Sequence, residues 1–236
     1  MTKRVLLCGE GPTDYGSRRY ASDEWDEGPV QPIIRKSINV EIVFNYATRE
    51  DIKKKRIQRT GGKGLKGHGY KAYALCLIAR SMNIDHIICY VDADRSTSSS
   101  NTAVNARKRF REVYAEIRNG FELFSAKRSE TSIPMIPLKM IESWLLADET
   151  AFATCFGQTP TNPALPTKPE LIWGDENDPA SKHPKKYMKR VLDQYPDTLA
   201  NRETFKDIAE NIDIDTLKGK CPISFDRFYQ DVQVIG

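Results

Sequence analysis

The sequence predicts an α/β fold with a mostly parallel sheet flanked by helices, and three observations carry that prediction. Val5–Cys8 and His86–Val91 are continuous apolar runs rather than alternating ones, the pattern of strands covered on both faces. Segments with helical spacing of apolar residues lie between the strand candidates. The resulting order is strand, helix, strand, helix, strand, helix, strand, which favours crossover connections and therefore parallel pairing.

Val5–Cys8 is closed by Gly9-Glu10-Gly11-Pro12, and residues 12–28 are polar and irregular. Pro29–Ile38 reads as a helix, with proline near its start and Val30, Ile33, Ile34 and Ile38 at helical intervals. Val40–Phe44 is the second strand. A basic, glycine-punctuated segment follows over 49–71, overlapping a helix at Tyr70–Met82 with Ala72, Leu75, Ala79 and Met82 on one side. The third strand, His86–Val91, stops abruptly at Asp92-Ala93-Asp94-Arg95. Residues 96–103 form a Ser/Thr-rich loop, Val104–Arg118 a charged amphipathic helix, Phe121–Ser125 and Ile133–Ile136 short strand candidates, and Met140–Asp148 a helix. Near residue 150 the texture changes: 157–184 is proline-rich, and helix candidates follow at 183–194, 202–211 and 224–232. The expected organisation is a core domain over 1–150, then a Pro-rich linker and helical appendage over 151–236, packed on the core.

A chain of 236 residues, 39% hydrophobic, has material for a sizeable core. Charged residues make up 29%; the net charge is only +4, but the basic residues are clustered, and clustering governs partner choice more than the sum. The five cysteines form no CxxC pair, and Cys8, Cys76 and Cys89 sit in apolar runs, a usage that fits a reducing cytoplasm. His68, His86 and His183 lie far apart and suggest no zinc site. No stretch reaches the roughly 18 apolar residues of a membrane span, and the N-terminal apolar run ends at Gly9, so the expectation is a cytoplasmic protein away from membranes. The P-loop pattern is absent, and Gly62-x-Gly64-x-x-Gly67 follows a lysine run rather than a strand, which argues against a dinucleotide site.

Glu10 lies just past the first strand, and Asp92 and Asp94 just past the third. Open parallel sheets bind ligands outside the carboxyl ends of their strands, so neighbouring strands would bring these acids together. Residues i and i+2 of an extended chain point to one side, which lets both aspartates face one site. Carboxylate oxygens are hard ligands suited to Mg²⁺, and a cation relieves the repulsion of clustered acids. The alternative is that an acid at a strand end caps the next helix.

The strand–Glu unit (Val5–Glu10) followed by strand–D-x-D (His86–Asp94) resembles the TOPRIM domain of topoisomerases, bacterial primases, recombination-repair proteins and OLD-family nucleases, over roughly residues 1–150. Glu10-Gly-Pro-Thr-Asp14, Val91-Asp-Ala-Asp94 and Ile141-Glu-Ser-Trp-Leu-Leu-Ala-Asp148, in that order, resemble a narrower group. Its members are TOPRIM-like, OLD-nuclease-related proteins often encoded beside an ATPase in bacterial anti-phage defence loci. The Pro/Lys-rich C-terminal stretch and Ile208–Phe228 extend that resemblance over nearly the whole chain. It implies Glu10, Asp92 and Asp94 as metal-binding and acid–base residues, Mg²⁺ or Mn²⁺ as cofactor, and Glu142 as a fourth catalytic and metal candidate. Leu138, Leu145 and Leu146 surround Glu142 at helical spacing, so its carboxylate needs a partner, either a metal or an arginine. Trp144 and Leu145 read as core, and Asp148 as a helix-end residue or the cap of the next helix.

Between Arg49 and Lys71 stand nine basic residues against Glu50 and Asp51. Arg59, Lys63 and Lys66 lie among glycines that permit close backbone approach, and they suit a loop closing over phosphates. Arg95, directly after the acids, is placed to stabilise charge on a scissile phosphate. The bland reading of the same run is a solvated charged helix plus a loop. Arg107–Arg111 and Lys182–Arg190 read as solvated faces unless the fold sets them beside the acids. The function expected is metal-dependent hydrolysis of DNA, RNA or tRNA phosphodiesters, licensed by a partner ATPase encoded nearby. A homo-oligomer remains open. The rival reading is a non-catalytic TOPRIM-fold module that binds nucleic acid or protein without cutting.

Overall fold

The structure is a computed structural model and describes residues 2–55, 64–65, 67–93 and 103–236. After β1 (Lys3–Cys8) come a small hairpin of β2 (Ser17–Arg18) and β3 (Trp25–Asp26), helix α1 (Val30–Ser37), β4 (Ile42–Tyr46), α2 (Arg49–Lys55), α3 (Gly67–Ser81) and β5 (His86–Tyr90). Then follow α4 (Ala103–Phe124), α5 (Ala126–Glu130), β6 (Ser132–Met135), α6 (Glu142–Leu145), α7 (Glu149–Phe156), α8 (Pro184–Leu192), α9 (Arg202–Asn211), α10 (Ile214–Lys220) and α11 (Phe225–Val232).

Four strands form one parallel sheet in the order β4-β1-β5-β6. The chain leaves β1 toward β4 on one side and then returns across it to β5 on the other, so the strand order reverses between β1 and β5. That is the topological switch point, where open α/β sheets form a crevice at the carboxyl edge.

Alternation along the strands sorts the core into two layers. Leu6, Cys8, Ile87, Cys89 and Val91 pack against α3 and α4 through Leu75, Val113, Ile117 and Phe121. Val5, Leu7, Ile88 and Tyr90 face α1 and the C-terminal helices, whose Trp144, Phe152, Met188, Ile208, Phe225 and Phe228 share one buried cluster with them. The helices after residue 149 therefore supply most of the second layer over the sheet. Near-complete burial of each such large side chain contributes roughly 1.5–3 kcal/mol of hydrophobic stabilisation. Helices α3 and α4 cross closely because glycines meet there: a Cβ on Gly120 would fall 2.1 Å from the Gly69 carbonyl oxygen.

Several boundaries differ from the sequence-based expectation. The segment Phe121–Ser125 is not a strand; Phe121 continues the Phe110, Val113, Ile117 stripe and lies inside α4, because helical spacing over a long run outweighs a short aromatic one. Within 12–28 the β2–β3 hairpin forms around Trp25, whose ring stacks on Tyr46 at 4.1 Å. The basic segment begins as the charged helix of its plainer reading. Thr48 and Asp51 make a reciprocal capping box: Asp51 Oδ2 accepts from the Thr48 amide at 2.9 Å, and Thr48 Oγ1 accepts from the Asp51 amide at 3.2 Å. Met140–Asp148 shortens to α6, and Asp148 takes the second of its two expected roles, capping α7 by accepting from the Thr150 amide at 2.8 Å. No helix among the described residues is long and apolar enough to cross a membrane.

Candidate functional site

The first acids come from the segment after β1. Gly9 opens it, and only glycine fits there: a Cβ would stand 2.3 Å from the Tyr15 ring. A tight turn follows, with the Asp14 and Tyr15 amides both donating to the Gly11 carbonyl at 3.2 Å. The Tyr15 carbonyl accepts from Trp25 Nε1 at 2.8 Å and Gln31 Nε2 at 2.6 Å, which ties the turn to the hairpin and to α1. Glu10 and Asp14 thus stand at opposite ends of a fixed turn.

The next acid comes from β5. The strand path continues past Tyr90, since Val91 and Ala93 donate to the Met135 and Pro137 carbonyls at 3.0 and 3.2 Å. Asp92 is thereby held extended, on the same side as Tyr90. The buried Tyr90 hydroxyl lies 2.8 Å from Asp92 Oδ1 and 3.1 Å from Asp14 Oδ2. A phenol carries one proton, so it can serve both carboxylates fully only if one of them carries a proton of its own. The electrostatics agree. Burial, then repulsion from Asp14, pushes the Asp92 carboxyl well up, and burial pushes Asp14 up to about 6.

Glu142 is the third acid of this group. It opens α6 and is almost wholly buried; burial and then repulsion from Asp14 push its carboxyl up to about 7. Among the described residues, no other side chain hydrogen-bonds it. Its helix is anchored from behind: Trp144 Nε1 donates to Ser224 Oγ at 2.8 Å, and the Trp144 ring packs edge-on against Phe225. Lys185, at the start of α8, opposes the shifts of both Asp14 and Glu142.

Glu10 faces the other way, toward α3. Lys71 Nζ lies 3.7 Å from Glu10 Oε1 and His68 Nδ1 lies 4.0 Å from it. Lys71 also donates to the Tyr90 carbonyl at 3.0 Å and the Gly9 carbonyl at 3.4 Å. One ammonium therefore stitches the ends of β1 and β5 at the switch point.

β1 and β5 are neighbours, so Glu10 and Asp92 stand past adjacent strand ends, as the sequence predicts; Glu142 approaches Asp92 from α6. Asp94, Arg95, Arg59, Lys63 and Lys66 lie outside the described residues. Asp14, Tyr90, Lys71 and Lys185 were not singled out from sequence. Asp14 had a signal in Glu10-Gly-Pro-Thr-Asp14, and Tyr90 in its two-residue spacing from Asp92; Lys185 sat in a basic run that reads as surface. Nothing marks Lys71 among nine basic residues.

These acids offer hard oxygen donors whose mutual repulsion a cation would relieve, so their chemistry fits Mg²⁺ or Mn²⁺. Among the described residues, however, no group of three His, Cys, Asp or Glu side chains is placed to hold a metal ion.

A family model describing a domain of unknown function, DUF4276, matches residues 10–233. The chain belongs to the DUF4276 family. The match begins at Glu10 and runs through α11, so the DUF4276 unit takes in all four acids together with the C-terminal helices that back Glu142. No curated protein and no solved structure matches the chain.

Proposed function

We propose that the chain is a TOPRIM-type nuclease that hydrolyses phosphodiester bonds of DNA, RNA or tRNA with Mg²⁺ or Mn²⁺. One observation carries the reading: the segments after the adjacent parallel strands β1 and β5 deliver Asp14 and Asp92 to the switch-point edge, where Glu142 joins them and burial sets the three acids against one another, with Glu10 beside them on the α3 side. Asp92 and Asp94 of the D-x-D motif, with Glu10 and Glu142, would hold the ion; the described acids alone are not placed to do so, so binding would have to draw them together. When bound, the ion supplies an activated water and charge neutralisation on the phosphate.

The chain's own residues do the rest. Tyr90 fixes the rotamer of Asp92, and Lys71 holds the two strand ends at one spacing. Without the ion, burial and then Asp14 push the Glu142 carboxyl up to about 7, so binding a cation there would release its proton. Arg95, Arg59, Lys63 and Lys66 are assigned to phosphate contact from their sequence positions. The resemblance to proteins encoded beside ATPases supports a cytoplasmic anti-phage effector whose cutting a partner ATPase licenses.

The test is cleavage of plasmid DNA, single-stranded DNA and total tRNA with Mg²⁺ or Mn²⁺, with and without the neighbouring ATPase, comparing wild type with Asp92→Ala. Wild-type cutting should fall more than about 100-fold in the variant, beyond the roughly 10–100-fold cost of losing a group that only orients a metal ligand. Cutting by neither protein under any of these conditions would sink the nuclease reading in favour of a binding module. A wild type fully active alone and indifferent to the ATPase would remove the licensing step.

A further inference from the structure

We propose that the cavity between α2 and α3 is a phosphate subsite that seats one nucleotide of the substrate strand beside the carboxylate edge. The cavity has a volume of about 440 Å³, within the usual range for small-ligand sites. Arg49 and Lys53 stand one turn apart on α2, so both reach the same wall, and the Thr48–Asp51 capping box fixes where that turn begins. Lys71 adds a third cation from the opposite wall. Glu10 is the one carboxylate among the described lining residues.

The cations differ in how far they are committed. Lys71 is largely buried and engaged with the Gly9 and Tyr90 carbonyls and with Glu10. Lys54, next along α2, lies 4.0 Å from Asp51. Among the described residues, no ion pair engages Arg49 or Lys53, although both line a concave wall. A concave site whose lining carries three cations against the single Glu10 carboxylate has a net positive field that concentrates anions. Ile52 and Tyr70 add apolar surface, which suits a phosphate carried on a sugar better than a free inorganic anion.

Glu10 belongs to both places. It lines this cavity, and its charge also acts on Asp14 and Asp92. A strand whose scissile phosphate lies at the acids would pass over Glu10 and set a neighbouring phosphate between Arg49 and Lys53. The identity of the ligand as a nucleic-acid strand rests on the nuclease reading; the charge and shape of the cavity do not.

The experiment is equilibrium binding of a labelled single-stranded oligonucleotide to the full chain in EDTA, followed by anisotropy over a salt series. Arg49→Ala/Lys53→Ala should weaken binding at least tenfold and flatten the log–log salt slope by about 0.7 per phosphate released. Lys206→Ala, in α9 and paired with Glu210 at 3.3 Å, should change neither quantity. Both substituted side chains on α2 are exposed, so the fold should persist; a circular dichroism spectrum checks it. Unchanged affinity and slope in the double variant, or no binding by wild type, would overturn the subsite. EDTA separates the two readings. Binding lost in the double variant while wild type cuts nothing keeps the subsite and removes the nuclease; cutting retained with binding unaltered does the reverse.

Discussion

Two buried acids of this chain are treated in opposite ways. Glu170 accepts from the Ile223 amide at 2.8 Å, the Ser224 amide at 3.0 Å and the Ser224 hydroxyl at 2.8 Å, so its oxygens are met by donors on all sides. Glu142, also buried, has no such set among the described residues and stands near Asp14 and Asp92, which share a single tyrosine hydroxyl. Asp148 belongs with Glu170: it caps α7 and also accepts from the Asp213 amide at 2.8 Å. An acid whose lone pairs are filled by backbone amides belongs to the architecture. An acid left beside other acids has been kept in a costly state, and such perturbed groups cluster at functional sites.

The widest separation between the two kinds should come from Glu170→Ala. It would leave three donors unsatisfied and release the Ser224 link to Trp144, costing about 3 kcal/mol or more in urea denaturation. Glu142→Gln should cost nothing comparable at pH 8, because it removes a carboxylate that burial disfavours, yet cleavage should collapse. Equal destabilisation by both substitutions would erase the distinction.

Tyr90→Phe should be milder. It removes the hydroxyl that Asp14 and Asp92 share, with an expected loss of about 1 kcal/mol and a roughly tenfold fall in cleavage. Wild-type rates in that variant would show that the hydroxyl does not position Asp92.

The smallest effect is in pH. Asp14 and Glu142 are raised to about 6 and about 7, above their unfolded values near 4, so the metal-free native state keeps protons that the unfolded chain releases. Their contribution to stability is therefore greatest at acid pH and falls as pH rises from about 4 to about 7. In EDTA the melting temperature of wild type should drop more between pH 5.5 and 8 than that of Glu142→Gln. Added Mg²⁺ should narrow the gap, with apparent affinity rising over the same window as the ligands shed protons. A metal affinity flat from pH 5.5 to 8 would count against these acids as ligands.

Much of the sheet was legible because β1 and β5 carry continuous apolar runs bounded by turn and acidic residues, and Glu10 and Asp92 follow from strand ends alone. The C-terminal layer was legible in part: the helix candidates at 183–194, 202–211 and 224–232 are α8, α9 and α11, but α7 and α10 were missed. Both are short helices whose apolar residues are spaced for a shared core, and Phe121 reads as a strand only when the stripe from Phe110 is cut short. Lys71 was hidden for a different reason. Its role depends on the carbonyls of Gly9 and Tyr90, and backbone acceptors leave no mark in residue types. Thr48–Asp51 shows the converse, since a capping box is spelled out in the sequence and predicts the start of α2 once it is looked for.

The second layer over the sheet has a consequence for synthesis. Val5 and Leu7 leave the ribosome long before Phe225 and Phe228, which close the same cluster from the other end of this sequence. Elongation at about 5–20 residues per second leaves that sheet face uncovered for tens of seconds or so unless something shelters it. A chain arrested after residue 200 should therefore bind the dye ANS and a holdase chaperone, while the full chain does neither. Because its closing helices lie so far along the chain from β1, this molecule cannot cover that sheet face, or assemble the backing of Glu142, until those helices have emerged.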